Sequence, residues 1–329
     1  MRHHRCPVCA TTVSFLTLDC PSCGAALQYD PEGDRFDVLT TPCANREEIG
    51  CNWPAEPGGE EGFCRSCAMT GVIPDTLHGE NRAHWSAVEA EKRWVLVGLA
   101  RWGWFRDADP GPRPTFRLLA EETRHGPERV MMGHAGGVIT INVTEADPAE
   151  RIVRREMLGE RLRTITGHLR HELAHFLFAR LLLAADFAYG FRARFGDERA
   201  DYGAALQRYY AEGPDPDWTA HHVTQYASAH PHEDWAECCA HILHLTDILD
   251  SALAAGLGAR GMPDAGYDPY AERRAARLVS RAVRMGIAVN HVTRSMGLQD
   301  LYPFTLTPPV RRKFAFVHRW ISNGPAGLA

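Results

Sequence analysis

The sequence predicts an α+β protein: a mainly helical domain with a small sheet, preceded by a cysteine-held N-terminal module. Three observations carry this expectation. Eight of the ten cysteines lie between Cys6 and Cys67, in a stretch rich in Gly and Pro and poor in helical periodicity. From about Asn81 onward, segment after segment places apolar residues at helical spacing. Between the first helices, Thr115–Ala120 and Gly137–Val143 read as strands, the second through Val138, Ile139, Thr140, Ile141 and Val143. The module is expected over residues 1–75 and the helical domain over 76–329.

The bulk properties bound the function. A chain of 329 residues has room for about two domains, and 45% hydrophobic residues suffice for a core. A formal net charge of −5 argues against binding nucleic acid through bulk charge. The start, Met1 to Cys6, has no apolar core of a secretory signal. The most apolar stretch, Phe176–Tyr189, is interrupted by Arg180 and Asp186, so no membrane span is expected. A cytoplasmic location is the expectation. Thiols stay reduced there, so paired cysteines read as metal ligands rather than disulfides.

The elements follow in order. Cys6-Pro-Val-Cys9 and Cys20-Pro-Ser-Cys23-Gly24 are two tight knuckles that bring four thiolates to one tetrahedral site, the geometry of closed Zn²⁺ sites. Gly24 suits a left-handed position after the second knuckle. Iron is the other metal that such a thiolate set accepts. Cys43, Cys51, Cys64 and Cys67 form a second set with one tight knuckle. A coreless Gly/Pro-rich segment would gain folding energy from a metal there. One or two structural zinc ions are therefore expected, with His78, or His3 and His4, as substitute ligands. Pro54–Gly62 is a loop inside this second set. Such a module serves as a scaffold or as a docking surface for a protein partner. Arg2, Arg5, Arg35, Arg46 and Arg65 are scattered among acidic residues, which disfavours a nucleic-acid track.

Asn81–Trp104 reads as a helix on Trp85, Val88, Trp94, Val95 and Leu99, with Trp94, Trp102 and Trp104 as core. Asp147-Pro148-Ala149-Glu150 starts the next helix with an N-cap carboxylate, a Pro in the first turn and a Glu to complete a capping box. Helix is expected from there, bent or in two pieces, to about Ala185. Further helices are expected over 198–212, 217–229, 233–255, 269–288 and 308–321.

The chemistry concentrates in His171-Glu172-Leu173-Ala174-His175. Residues four apart share a helix face, so both imidazoles can reach one metal, and Glu172 beside them can take a proton from water. Leu169, Leu173, Phe176, Leu177 and Leu181 surround this motif with apolar surface, where polar groups need a reason to be buried. The spacing HExxHxxGxxH is excluded by Phe178 and Leu181. A third ligand is offered by His230-Pro231-His232-Glu233-Asp234-Trp235-Ala236-Glu237. Glu233 and Glu237 share a helix face, so one can bind metal while the other accepts the outer N–H of a ligand histidine.

Together the four-cysteine ribbon, Gly167–His175 and His230–Glu237 resemble the gluzincin metallopeptidases. They are more closely similar to a bacterial family of zinc-binding metallopeptidases with an N-terminal zinc ribbon. The resemblance covers nearly the whole chain, including Asp300–Phe304. It implies a zincin-like fold, a catalytic zinc on His171, His175 and Glu233, Glu172 as general base, and Glu237 orienting a ligand histidine, His171 foremost. The chain departs from the gluzincin pattern at Glu237, where Asp is more common. The implied reaction is hydrolysis of a peptide or protein substrate by a zinc-bound water. The Gly137–Val143 strand is expected to be a sheet edge that pairs with the extended substrate.

His230, His232 and Tyr226 are candidate transition-state donors, each with a structural reading beside it. Cys238 and Cys239 read as buried inert thiols. His241 and His244 read as packed or capping residues, His168 as a neighbour, and Asp197, Glu198 and Asp201 as a helix start. The alternatives to an enzyme are an inert zinc-stabilised binding protein and a zinc-ribbon adaptor for nucleic acid or a protein complex.

Overall fold

The computed structural model describes residues 4–158, 164–258, 261–262, 266–302 and 304–328. The expectations that touch His3 and Pro303, and the middle of the 147–185 helix, fall outside these residues. The chain divides into two compact units, His3–Leu173 and, apart from the first two residues, Ala174–Ala329.

The first unit begins with the cysteine knuckles. It continues into an antiparallel hairpin of β1 (Leu27–Asp30) and β2 (Arg35–Val38), in which Tyr29 faces Phe36. Phe15, Tyr29, Phe36 and Trp53 are buried here, with His4 packed edge-on against Tyr29 and Phe36. A four-stranded sheet follows, made of β3 (Thr70–Val72), β4 (Thr115–Leu119), β5 (Gly133–Ala135) and β6 (Val138–Asn142) in the order β3-β4-β6-β5. β3 and β6 run parallel to β4, with Val138 opposite Thr115. Period-2 alternation buries Phe116, Leu118, Ile139 and Ile141 completely.

The expectation that the strand near 137–143 is a sheet edge is wrong. β6 is an inner strand, because β5 returns antiparallel onto Val138–Thr140. The two-residue turn between them is Gly136-Gly137, at φ 56° and 83°, the left-handed pair that a tight hairpin of this kind requires.

Helix α1 (Asn81–Ala100) buries Trp85, Val88, Val95, Leu96 and Leu99. It ends before Trp104, where Gly103 and Phe105 adopt positive φ. Trp102 and Trp104 are buried as expected, and Trp94 is half-buried against Phe15. Helix α2 (Pro148–Leu158) starts as expected: Asp147 Oδ1 accepts from the amides of Ala149 and Glu150. Helix α3 (Ile165–Leu181) starts where Thr164 Oγ1 accepts from the Gly167 amide.

The second unit holds the end of α3 and five longer helices: α4 (Ala185–Phe195), α5 (Tyr202–Glu212), α6 (Pro231–Ala254), α7 (Ala275–Ser295) and α8 (Pro308–Ser322). α6 packs against α4, α7 and α8. Trp235, Phe178, Phe187, Phe191, Phe195 and Phe316 form an aromatic core of mostly edge-to-face pairs.

Three expected helices are shorter or shifted, each for a local reason. α5 starts at Tyr202 because Asp201 Oδ1 caps it through the Ala204 amide. The segment 217–229 breaks into Trp218–His221 and a 3-10 turn at Tyr226–Ser228. Side chains at the start of α8 take the freed carbonyls, Thr307 that of Ala220 and Lys313 that of His221. α7 starts at Ala275 because Asp268 and Glu272 tie the preceding residues into turns. Among the described residues, no helix is long and apolar enough to cross a membrane.

Candidate metal centres

The knuckles do what their spacing predicts. The amides of Ala10 and Gly24 bond back to the Cys6 and Cys20 carbonyls, and both residues sit at positive φ. The four sulfurs converge, with Cys6 and Cys23 at 3.8 Å and Cys9 and Cys20 at 3.6 Å. A tetrahedron with metal–sulfur bonds of about 2.3 Å has edges of about 3.8 Å. The second set converges equally well, with Cys51 at 3.6 Å from Cys64 and 3.8 Å from Cys67. Here the Cys64 amide donates to Cys43 Sγ, and the Cys67 amide to Cys64 Sγ. All four thiols of the second set are buried, whereas Cys9 and Cys23 of the first are exposed. His78 is exposed and His4 sits among aromatic rings, so the substitute-ligand expectation is not needed for either set.

A third group forms on α3 and α6. Ligand atoms of His171, His175 and Glu233 lie within 4.8 Å of one another. His171 and His175 are successive turns of one continuous helix. Glu233 stands in the first turn of α6, whose start is fixed by Pro231 and by His230 as N-cap. His175 Nε2 lies 3.5 Å from Glu233 Oε1, close to the roughly 3.4 Å edge of a tetrahedron with bonds near 2.1 Å. Glu233 is 1% exposed and Glu172 is 7% exposed. Glu172 Oε2 is buried and has no hydrogen-bond partner among the described residues. An ionised carboxylate buried in this way needs a cation or a hydrogen-bonding ligand beside it.

The surroundings sort the remaining candidates. Glu237 Oε2 accepts from Thr224 Oγ1 at 2.7 Å. The His232 ring stacks on His175 at 6.3 Å and lies against Phe178. Burial, then the charges of His175 and His230, hold the His232 pKa down at about 4. His232 is therefore neutral near pH 7. His230, a candidate donor with a structural reading beside it, takes a structural position: Nδ1 accepts from the His232 amide and Nε2 bonds the Ala200 carbonyl, so both nitrogens serve the helix start. Tyr226 packs edge-on against Tyr209, and the phenol on Glu233 is a different one. It is Tyr202, whose hydroxyl donates to Glu233 Oε1 at 2.7 Å. The sequence reading missed this residue, which lies 31 positions from its partner.

Other histidines and cysteines take the structural roles expected. His241 is buried, with Nδ1 2.8 Å from the Tyr302 hydroxyl. Cys238 and Cys239 are buried, and burial pushes the Cys238 thiol well up. His168 Nε2 lies 3.2 Å from Glu145.

Residues 37–78 match a zinc-ribbon domain, which spans the second cysteine set but not the first. An uncharacterized protein of Mycobacterium bovis and those of two Mycobacterium tuberculosis strains are each 36% identical over 331 residues. The match covers 97% of this chain and 94% of each relative. No solved structure matches. Residues 81–320, which contain all three members of the histidine–glutamate group, match the family described as "Putative zinc-binding metallo-peptidase", and the chain belongs to that family.

Proposed function

We propose that the protein is a zinc-dependent peptidase whose catalytic ion is held by His171, His175 and Glu233, with Glu172 as general base. The observation that carries this reading is Glu172 Oε2, buried and without a hydrogen-bond partner among the described residues, on the helix that offers two of the three convergent ligands. Donor types and spacing fit zinc: two imidazoles and one carboxylate leave a fourth position open for water or substrate.

When bound there, zinc lowers the pKa of water and polarises a carbonyl. The protein's own residues do the rest. Glu172 accepts a hydrogen bond from the attacking water at Oε2, removes its proton during attack on the peptide carbonyl, and returns that proton to the leaving amine. Glu237, held by Thr224, is the carboxylate available to orient a ligand histidine. The two tetrathiolate sets hold structural zinc and add folding energy to a segment whose own core is the small cluster around Tyr29. The substrate is a peptide or protein, and the ribbon is a surface for a protein partner.

Metal content per chain tests the reading. Wild type is expected to hold three zinc ions and His171→Ala two. Glu172→Gln is expected to keep three and lose cleavage of a mixed peptide library. A count that His171→Ala leaves unchanged would overturn the catalytic centre. Undiminished cleavage by Glu172→Gln would overturn the base.

A further inference from the structure

We infer that Tyr202 is a positioning residue of the His171–His175–Glu233 centre, presetting the carboxylate for metal capture through its hydroxyl. The inference rests on the metal-centre reading above. It begins from one atom: Glu233 Oε1 is both the oxygen 3.5 Å from His175 Nε2 and the oxygen that accepts from Tyr202 at 2.7 Å. A carboxylate oxygen has two acceptor sites, so the phenol and a metal can share it. Ligating carboxylates generally are held this way, by an outer hydrogen bond that fixes their orientation.

The position of Tyr202 is built from both sides. Asp201 caps α5, which makes Tyr202 its first residue. His230 Nε2 holds the Ala200 carbonyl two residues earlier, and the His230 ring meets Tyr202 edge-on at 5.2 Å. The same His230 caps α6 through the His232 amide, next to Glu233. One imidazole therefore fixes both the helix that presents the ligand and the residue that orients it. Tyr202 is also 43% exposed, while its hydroxyl is aimed at a carboxylate that is 1% exposed. An apolar residue would serve a packing role at such a position equally well, so the hydroxyl is the part that needs an explanation.

Tyr202→Phe isolates that hydroxyl, because the ring and its packing remain. In the full-length protein, the zinc dissociation constant of this centre, read by chelator competition, is expected to rise about 10- to 100-fold. The visible absorption of Co²⁺ loaded at the same centre is expected to change in shape. The ribbon metals stay bound and provide the internal count. A merely structural tyrosine would lower the melting temperature of metal-free and metal-loaded protein alike without moving the dissociation constant or the Co²⁺ spectrum. That result would overturn the inference alone. If wild type and His175→Ala bind the same number of metals, the centre itself is wrong and the inference falls with it.

Discussion

Trp235 Nε1 donates to the Ala174 carbonyl at 2.9 Å, and so joins the two helices that carry the candidate ligands. Ala174 lies inside the histidine motif, directly before His175, and Trp235 lies two residues after Glu233. The indole is fully buried among Phe178, Phe187, Phe191 and Phe195. Trp235→Phe keeps most of this aromatic packing but removes the bond and some volume. A buried hydrogen bond contributes about 1 kcal/mol, and the cavity adds more, so a loss of roughly 1–3 kcal/mol is expected. Because the bond links the ligand-bearing helices, zinc affinity of the centre should fall as well. Urea denaturation and chelator competition on one preparation check both, and unchanged affinity would show that the two helices keep their register without the indole.

The residue after Glu233 is anchored by charge. Lys313 Nζ pairs with Asp234 Oδ2, and both side chains are buried. The ammonium also donates to the His221 carbonyl at 2.8 Å. Removing one partner of a buried pair leaves the other charge uncompensated, which costs about 3–5 kcal/mol. Lys313→Met is expected to destabilise by that order in thermal unfolding. Lys313→Met combined with Asp234→Asn should recover part of the loss, because no unpaired charge then remains. A double variant as unstable as the sum of the two single variants would count against the pairing.

The second cysteine set has a counter-charge from α1. A divalent ion with four thiolates is a net dianion, here enclosed by protein. Arg93 is 1% exposed, and its Nε and Nη1 have no hydrogen-bond partner among the described residues. Hydrogen bonding with Cys43, and burial, push the Cys51 thiol up, while bonding with Cys64 and Cys67 and, as the smallest contribution, the Arg93 charge pull it down. The net direction is down. Arg93→Met, similar in bulk and uncharged, should release the metal of this set at least tenfold more readily to a chelator, since the loss of a buried charge partner is worth more than about 1.4 kcal/mol. The Cys6–Cys23 set should be unaffected and serves as the control.

What the sequence revealed and what it hid follow from the range of the interactions. The knuckles and the histidine motif are local patterns, fixed by a turn of backbone or a turn of helix, so spacing alone places Cys6 by Cys9 and His171 by His175. Glu233 and Glu237 were visible as a pair for the same reason, a short-range signal at a helix start, but the choice of Glu233 over Glu237 came only with the family resemblance. Tyr202 was not visible, because its partner lies on another helix and no spacing links them. The form of His230's structural role, an N-cap, was hidden because histidine ranks outside the usual N-cap residues, although its Nδ1 does the capping here. The inner position of β6 depended on β5, whose Gly133-His134-Ala135 carries no strand-like composition. Only the Gly136-Gly137 turn announced the hairpin.

His241 gives the fold a measurable acid sensitivity. Its ring is buried among Tyr302, Phe304 and Phe314. Burial holds its pKa down at about 4, against an ordinary 6.5, with the Glu237 charge opposing. The folded state thus binds this proton less readily than the unfolded chain. The stability that comes from keeping the ring neutral is fully present above pH 6.5 and is lost as the pH falls from there towards 4. Between pH 7 and 5 the expected loss from this residue is roughly 2 kcal/mol. His241→Phe fits the aromatic surroundings and cannot titrate. It should be less stable than wild type at pH 7, because the buried Tyr302 hydroxyl loses its partner, yet lose roughly 2 kcal/mol less on going to pH 5. Comparing the two slopes by urea denaturation cancels the acid lability of the metal ligands common to both proteins. Parallel slopes would mean that another group carries the pH dependence.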